Sequence, residues 1–262
     1  MAAWWWQRWR SRVEARALAR RAIPEPLWAH TLARYPFLAE RSAEDLAALR
    51  RMATLFLDRK EFSGANGLVV TDEMAVAIAA QACLPVLHLG LQVYDDFVGI
   101  VVHPAEVVAH RVVTDEDGVV HHYDEVLAGE AMEGGPVMLS WADVSEAGEL
   151  AQWGYNVVIH EFVHKLDMAD GQADGMPPLP DRAARRQWRS VIEPAYEAFC
   201  RDVDQGLDTF LDPYGSESLE EFFPVAAEAF FVAASDFRRH HPELYGLFSG
   251  YFRQDPAAQT VG

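Results

Sequence analysis

The sequence predicts an α+β fold in which helices pack on a small mixed sheet. Segments with helical spacing of apolar residues occupy both ends of the chain, whereas short β-branched runs occupy its middle. Of the residues, 50% are hydrophobic and 24% are charged, which is typical of a folded protein with a substantial core. No internal repeat is present. The order of the predicted elements is a short-stranded region embedded in helices, which is an α+β pattern.

Helices are predicted where apolar residues recur three and four positions apart. Ser42, followed by Asp45 three positions later, is a good N-terminal cap for one of them. Pro24 and Pro26 end the Arg/Ala-rich run that precedes it. The predicted helices cover residues 7–21, 42–56, 72–83, 151–167, 182–204, 217–235 and 241–254.

Short β-branched segments predict the strands. They cover residues 98–102, 107–113, 119–123 and 136–141. The acidic, glycine-containing stretch 115–118 separates the second strand from the third and predicts a hairpin. Residues 170–181 are rich in Gly, Pro and Asp and are predicted to form a loop.

The charges are distributed unevenly along the chain. The net charge is −18, from 22 basic and 40 acidic residues, which argues against direct nucleic-acid binding. Residues 1–60 hold 12 Lys/Arg against 6 Asp/Glu, whereas residues 61–262 hold 10 against 34. We therefore predict a basic Trp/Arg-rich N-terminal segment over residues 1–41 and a separate acidic domain, which carries the fold, over residues 42–262.

Cysteine usage and hydropathy indicate a cytoplasmic protein. Cys83 and Cys200 are far apart and lie in apolar surroundings, so we expect two reduced, buried thiols. No apolar run reaches the roughly 20 residues of a transmembrane helix. Residues 1–10 are aromatic and basic but lack the apolar stretch and the cleavage site of a signal peptide.

The strongest chemical signal is a pair of histidines in the sequence HEFVH at residues 160–164. On a helix, His160 and His164 lie on one face, where both imidazoles can bind one Zn²⁺ at about 2.0–2.1 Å. Glu161 points to a different side and can reach a zinc-bound water as general base. The neighbours are apolar, so the helix is expected to be buried, where such polar groups need a partner.

A catalytic zinc site needs a third protein ligand. Asp170 lies six residues after His164, a spacing that some zinc peptidases use, but the glycine that usually precedes the ligand is absent. The later segment 218–231 offers Glu220, Glu221 and Glu228. Of these, Glu221 and Glu228 are seven residues apart and share one helix face. The residues alone favour these two glutamates over Asp170 and leave the choice between them open.

Several blocks of sequence extend this signal. The longest is residues 154–167, around the two histidines. The other blocks are residues 84–91, 135–141, 212–214, 221–225, 228–231 and 254–256. In these blocks, over residues 45–256, the chain resembles the Mlc titration factor A (MtfA) family of zinc peptidases. The resemblance implies a zincin-like core of the gluzincin type, one zinc ion, aminopeptidase-type cleavage of peptides and a cytoplasmic setting.

The resemblance also implies roles for single residues. His160 and His164 match the zinc histidines of the family, and Glu161 matches its general base. Glu221 matches its third zinc ligand. Tyr214 matches a tyrosine that can stabilise the oxyanion of the tetrahedral intermediate.

Two further predictions concern the surroundings of the zinc. If Glu221 is the third ligand, Glu228 is a candidate hydrogen-bond partner for the imidazole of one of the two zinc histidines. Met138, Leu139 and Ser140 precede the zinc helix, where zincins often carry an edge strand that pairs with an extended peptide. We therefore predict that these three residues bind substrate.

The resemblance implies an alternative function as well. The family takes its name from the sequestration of Mlc, a DNA-binding transcriptional repressor. On that interpretation the chain is a regulator whose partner is a repressor protein, and its peptidase activity is secondary.

Overall fold

A computed structural model describes residues 14–114 and 120–259, with the backbone alone for residues 108–114, 120–127 and 259. The helices are α1 (residues 14–20), α2 (Glu25–Arg34), α3 (Pro36–Ala39), α4 (Ala43–Arg59), α5 (Asp72–Cys83), α6 (Trp141–Leu150), α7 (Val157–Asp167), α8 (Arg182–Asp204), α9 (Leu219–Val232), α10 (Ala234–His240), α11 (Pro242–Phe252) and α12 (Pro256–Gln259). The strands are β1 (Glu61–Gly64), β2 (Gly99–His103), β3 (Val107–Thr114), β4 (Val120–Leu127), β5 (Gly129–Ala131) and β6 (Val137–Ser140).

The small mixed sheet that the sequence predicts is confirmed. Its four strands lie in the order β1-β2-β6-β5. The β1–β2 and β2–β6 pairs are parallel and the β5–β6 pair is antiparallel. β3 and β4 form the predicted hairpin as a separate antiparallel pair, and the connecting residues 115–119 lie outside the described part of the chain. The sequence did not predict β1 and β5, because each is only three or four residues long and contains glycine and no β-branched residue.

The predicted helix over residues 151–167 is shorter in the structure. Gly154 adopts a left-handed conformation with φ of 79°, and the helix begins only after Asn156, whose side chain caps it. Two other boundaries also differ. Residues 217–235 divide at Ala233 into α9 and α10, and Ser140 ends β6 and caps α6, so that Trp141 is helical.

Residues before the predicted domain boundary at 41/42 pack into the same core as the rest of the chain. α2 begins next to Pro24 and carries Pro26 in its first turn, where proline is tolerated. Trp28 and Tyr35 are buried in the common core, and the hydroxyl of Tyr35 donates to the carbonyl of Val144 at 3.0 Å. The boundary therefore does not coincide with a break in packing. Of the predicted helix at 7–21, residues 7–13 lie outside the described part.

An aromatic cluster packs against α9 and holds it in place. Phe223 and Phe230 of α9 pack against Phe248 of α11, with ring centroids 5.5 and 5.9 Å apart. Trp188 of α8 contacts Phe223 edge-to-face at 5.2 Å and stacks on Phe248 at 5.7 Å. Since α9 carries Glu221 and Glu228, this packing positions both carboxylates.

The predicted absence of a disulfide is confirmed, because both cysteines are free. Cys83 is buried as expected, whereas Cys200 is only partly buried. Within residues 14–114 and 120–259, none of the helices combines the length and the apolar character that a membrane crossing requires.

Replacing Phe248 by alanine should destabilise the protein by about 3–5 kcal/mol, because a fully buried ring is removed from the cluster and leaves a cavity. Urea unfolding followed by circular dichroism measures this change. Leu207→Ala is the control, since Leu207 is 54% exposed. Equal unfolding midpoints for the two variants would show that the aromatic cluster is not a main source of stability.

Candidate metal centre

The helix that carries the two histidines is anchored at its first turn. Asn156 caps α7, and its Oδ1 accepts a hydrogen bond from the N–H of Ile159 at 2.9 Å. The helix contacts α5, α9, β5 and β6. His164 is 7% exposed and Glu161 is 5% exposed, so the polar side chains of α7 lie inside the protein as expected.

Three ligand-type atoms converge between α7 and α9. The Nε2 atoms of His160 and His164 are 3.1 Å apart. Oε2 of Glu221 lies 3.1 Å from Nε2 of His160 and 3.2 Å from Nε2 of His164. Within the described residues, these three form the one group of at least three such side chains whose atoms converge closely enough to hold a metal ion. The structure thus brings together the three predicted ligands.

The donor set fits a divalent cation. A tetrahedral ion with ligands at about 2.0–2.1 Å separates its ligand atoms by about 3.3 Å, close to the separations in this cluster. Two imidazoles and one carboxylate are also the ligands that zinc accepts in catalytic sites. The three residues therefore form a group that can hold one ion and leave a coordination position free.

The pKa values of His160 and Glu221 are shifted in opposite directions. Burial would lower the pKa of His160, but the charge of Glu228 and hydrogen bonds with Glu221 and Glu228 raise this pKa well above its usual value. Burial would raise the pKa of Glu221, but hydrogen bonds with His160 and His164 outweigh it and hold the pKa well below the usual range. The carboxylates of Glu221 and Glu228 therefore favour a positive charge beside them, and a metal cation would supply one.

Glu228 lies behind His160, on the side away from the cluster. Its Oε1 accepts a hydrogen bond from Nδ1 of His160 at 2.7 Å, and its Oε2 accepts one from the backbone N–H of Asn156. Glu228 is 2% exposed, and burial raises the pKa of its carboxyl group. Because Nδ1 of His160 is bound to Glu228, the Nε2 atom of the ring faces the cluster.

Asn156 links this arrangement to a third helix. Its Nδ2 donates to Oε1 of Gln81 on α5 at 2.8 Å, and Gln81 is completely buried. The sequence analysis named neither residue. An asparagine directly before an apolar helical run is a recognised capping signal, so Asn156 could have been found as a cap but not as a partner of Glu228.

Glu161 faces a small cavity of about 180 Å³ beside the cluster. Burial raises the pKa of its carboxyl group to about 6, although His160 and His164 act in the opposite direction. Tyr214 lines the same cavity and is 38% exposed, with its ring centroid 6.0 Å from that of His160. The predicted base and the predicted oxyanion partner are therefore neighbours of the histidine cluster.

Gly129 of β5 also lines this cavity, and the sequence analysis missed it. A Cβ atom at this position would lie 2.5 Å from Oε1 of Glu161, closer than atoms in contact approach. A lone glycine in a three-residue strand gives no sequence signal, because its role depends on how β5 lies over α7.

The predicted peptide-binding strand is not at the edge of the sheet. β6, which holds Met138, Leu139 and Ser140, pairs with β2 on one side and with β5 on the other. Its backbone groups are thus engaged in the sheet, and Ser140 caps α6. The prediction that these residues lie in an edge strand is wrong. Within the described residues, the edge strand nearest Glu161 is β5.

Other predicted candidates lie elsewhere. Asp170 is exposed in the turn after α7 and is not part of the ligand cluster. His88 lies 3.2 Å from Asp45 and His103 lies at the end of β2, so neither belongs to the cluster. The side chains of the histidines at 110, 121 and 122 lie outside the described part of the chain.

Comparison with known proteins identifies a family that this chain matches. The family model of the glucose-regulated metallo-peptidase M90 matches residues 5–253. A protein of Synechocystis sp. that carries no assigned function is 35% identical over 255 residues, covering 96% of this chain and 90% of the relative.

Two relatives bear the name Mlc titration factor A. The protein of Pectobacterium atrosepticum is 35% identical over 229 residues, covering 86% of this chain and 84% of the relative. The protein of Serratia proteamaculans is 34% identical over 235 residues, covering 88% of each chain. The likeness spans nearly the whole molecule, including the helices that carry the histidine and glutamate cluster. The chain belongs to the glucose-regulated metallo-peptidase M90 family.

Proposed function

We propose that this chain is a zinc-dependent peptidase of the aminopeptidase type, with a zincin-like core, that works in the cytoplasm. The observation that carries the proposal is the convergence of His160, His164 and Glu221 within 3.2 Å, beside the buried Glu161. Membership of a metallopeptidase family supports it. The three residues would hold one zinc ion, and Glu228 would keep the His160 ring in place.

A bound zinc ion supplies a Lewis acid that polarises the scissile carbonyl and acidifies water. Glu161 then acts as the general base: it takes a proton from the attacking water and passes it to the leaving amine. Burial raises the pKa of this carboxyl group, which suits both steps, because a more basic carboxylate accepts a proton more readily and can then pass it on.

Tyr214 is proposed as the oxyanion donor. It lines the cavity that His160 and Glu161 also line. A hydroxyl donor beside this cavity can stabilise the negative charge that develops on the carbonyl oxygen. The tyrosine lies in a short turn, Pro213–Ser216, that Asp212 caps by accepting a hydrogen bond from the N–H of Tyr214 at 2.9 Å.

The substrate backbone is proposed to pair with β5 rather than with β6. Among the described residues β5 is one of the two edge strands of the four-stranded sheet, and its Gly129 lies close against the side chain of Glu161. An extended peptide added to this edge would pass beside the general base. The net charge of −18 supports attraction of a cationic peptide N-terminus, as aminopeptidase cleavage requires.

The second candidate function is the binding of a transcriptional repressor. It is favoured by the name Mlc titration factor A, which relatives with 31–35% identity carry. On this proposal a repressor of the Mlc type is the partner and peptide hydrolysis is secondary. The two functions separate in a variant without hydrolysis: a regulator that acts by binding alone keeps its effect on the repressor in such a variant.

Replacing Glu161 by glutamine should lower kcat/KM for an amino-acid p-nitroanilide by at least about 100-fold while zinc content stays unchanged, because the base is lost and no ligand is removed. Turnover and metal analysis of the same sample measure both effects. Glu220→Gln is the matched control, since Glu220 lies on α9 outside the cluster. Wild-type turnover by the Glu161 variant would show that the base is assigned wrongly.

Replacing Glu221 by glutamine should weaken zinc binding by more than about 100-fold, because one of three ligands loses its charge. Competition with a chromogenic chelator measures the affinity, and the wild-type chain should bind one equivalent. Glu220→Gln serves as control and should bind zinc like the wild type. Equal zinc affinities for the wild type and the Glu221 variant would remove this residue from the ligand set.

Replacing Gly129 by alanine should abolish most hydrolysis without loss of zinc, because the new Cβ displaces the Glu161 carboxyl group or the strand above it. Turnover is compared with that of Gly246→Ala, where a Cβ meets nothing within 4 Å. A fully active Gly129 variant with normal zinc content would contradict the proposed closeness of β5 to the base.

A further inference from the structure

Lys165 is a lysine whose whole side chain lies inside the protein. It stands on α7 directly after the candidate ligand His164, and its side chain is 0% exposed. Lysine is almost never fully buried without partners, because its ammonium group loses its hydration. Neither the metal cluster nor the proposed hydrolysis uses this residue, so its burial needs a separate explanation.

The ammonium group of Lys165 binds the turn that connects β5 to β6. Its Nζ donates to the carbonyl oxygens of Met132 and Gly135 at 2.5 and 3.0 Å. A carboxylate oxygen of Asp96 lies 3.5 Å from the same Nζ and supplies a negative charge. The turn is also closed by its own backbone, since the N–H of Gly135 donates to the carbonyl of Met132 at 3.0 Å. The three N–H donors of the ammonium group thus have three acceptors beside them.

Lys165 and Glu161 lie on the same side of α7. They are four residues apart, and this spacing places two side chains on one helix face, one turn after the other. Gly129, at the start of β5, lies against the side chain of Glu161. The turn that follows β5 is bound by Lys165. β5 is therefore held on α7 at both of its ends.

The second of these contacts matters because β5 lies at an edge of the sheet. Among the described residues β5 pairs with β6 alone, over Gly129–Ala131, whereas β6 pairs with a strand on each side. A short strand that is paired on one side has few hydrogen bonds to keep it in place. A methionine at position 165 would fill a similar space, but it could not bind two carbonyl groups and fix the turn beside α7.

We propose that Lys165 is a positioning residue for peptide hydrolysis: it binds both carbonyl groups of the β5–β6 turn and thereby holds the edge strand at the distance from Glu161 that an extended substrate needs. The proposal rests on the proposed function, in which the substrate backbone pairs with β5. It assigns Lys165 no contact with substrate or metal, because the lysine acts through the position of β5.

A second buried lysine offers a matched control. Lys60 is 9% exposed, and its Nζ donates to the carbonyl oxygens of Tyr94 and Phe97. Both ammonium groups lie over the ring of Phe97, with Nζ 3.6 Å from its centroid for Lys60 and 4.5 Å for Lys165. Replacing either lysine by methionine takes a buried ammonium group away from two carbonyl groups. Of the two, only Lys165 binds the β5–β6 turn.

Steady-state kinetics of the zinc-loaded chain with two substrates test the proposal. Lys165→Met should raise the KM of an extended tetrapeptide by at least about tenfold, because the strand with which the peptide pairs is displaced. It should raise the KM of an amino-acid p-nitroanilide by less than about threefold, since that substrate offers little backbone to β5. Lys60→Met should leave both KM values unchanged. A loss of folded protein does not imitate this result, because KM does not depend on the amount of active protein. Equal changes for the two substrates would overturn the proposal.

Hydrogen–deuterium exchange measured by mass spectrometry reports on β5 without any turnover. In Lys165→Met the amides of β5 should exchange at least about tenfold faster than in the unaltered chain, whereas those of α5 should keep their rates. Lys60→Met should leave the exchange of β5 unchanged. Equal exchange of β5 in the unaltered chain and in Lys165→Met would overturn the proposal. If the unaltered chain hydrolyses neither substrate, the proposed function fails, and the exchange rates still decide whether Lys165 fixes β5.

A variant of the turn decides if Lys165→Met does not fold. One glycine inserted between Glu133 and Gly134 lengthens the turn at exposed residues and leaves α7 unaltered. Because the insertion changes the spacing of the two carbonyl groups that Lys165 binds, it should raise the KM of the tetrapeptide by the same factor of about ten and speed the exchange of β5. Unchanged values of both quantities in this variant would overturn the proposal.

Discussion

Two imidazoles and one carboxylate meet inside this protein with their acceptor atoms about 3 Å apart, and the need for a cation at that point governs the site. Burying such groups without a partner is costly, since each loses its hydration. Against the effect of burial, Glu228 and Glu221 raise the pKa of His160, and hydrogen bonds with the two histidines lower the pKa of Glu221. A divalent ion would satisfy all three groups at once and would join α7 to α9, which would couple metal binding to the stability of this interface.

The same two helices are joined a second time behind the histidine. Glu228 of α9 accepts hydrogen bonds from Nδ1 of His160 and from the N–H of Asn156, which also caps α7 and reaches Gln81 on α5. One buried asparagine thus sets the start of the helix, the orientation of the carboxylate and the contact with a third helix. The aromatic cluster behind α9 keeps this arrangement rigid from the opposite side. Local capping and tertiary packing therefore act together on one imidazole ring.

Local sequence patterns predicted much of the fold and of the candidate site. They failed where the outcome depends on tertiary contacts. The spacing of His160 and His164 identified the helix and one face of it, because that information is contained in five residues. The spacing of Glu221 and Glu228 left them equivalent, since both share a helix face; only the packing of α9 on α7 directs one to Nε2 of His160 and the other to Nδ1. β5 is too short to carry a pattern, so the edge of the sheet was placed one strand too far inward.

The closeness of Gly129 to Glu161 limits which substitutions the protein can accept at position 129. A Cβ atom at position 129 would meet the side chain of Glu161, so any larger residue there requires Glu161 or β5 to shift. Val225 of α9 and Tyr155, which precedes α7, also line the cavity. Engineering of a different substrate preference should therefore begin with these two side chains and leave Gly129 untouched.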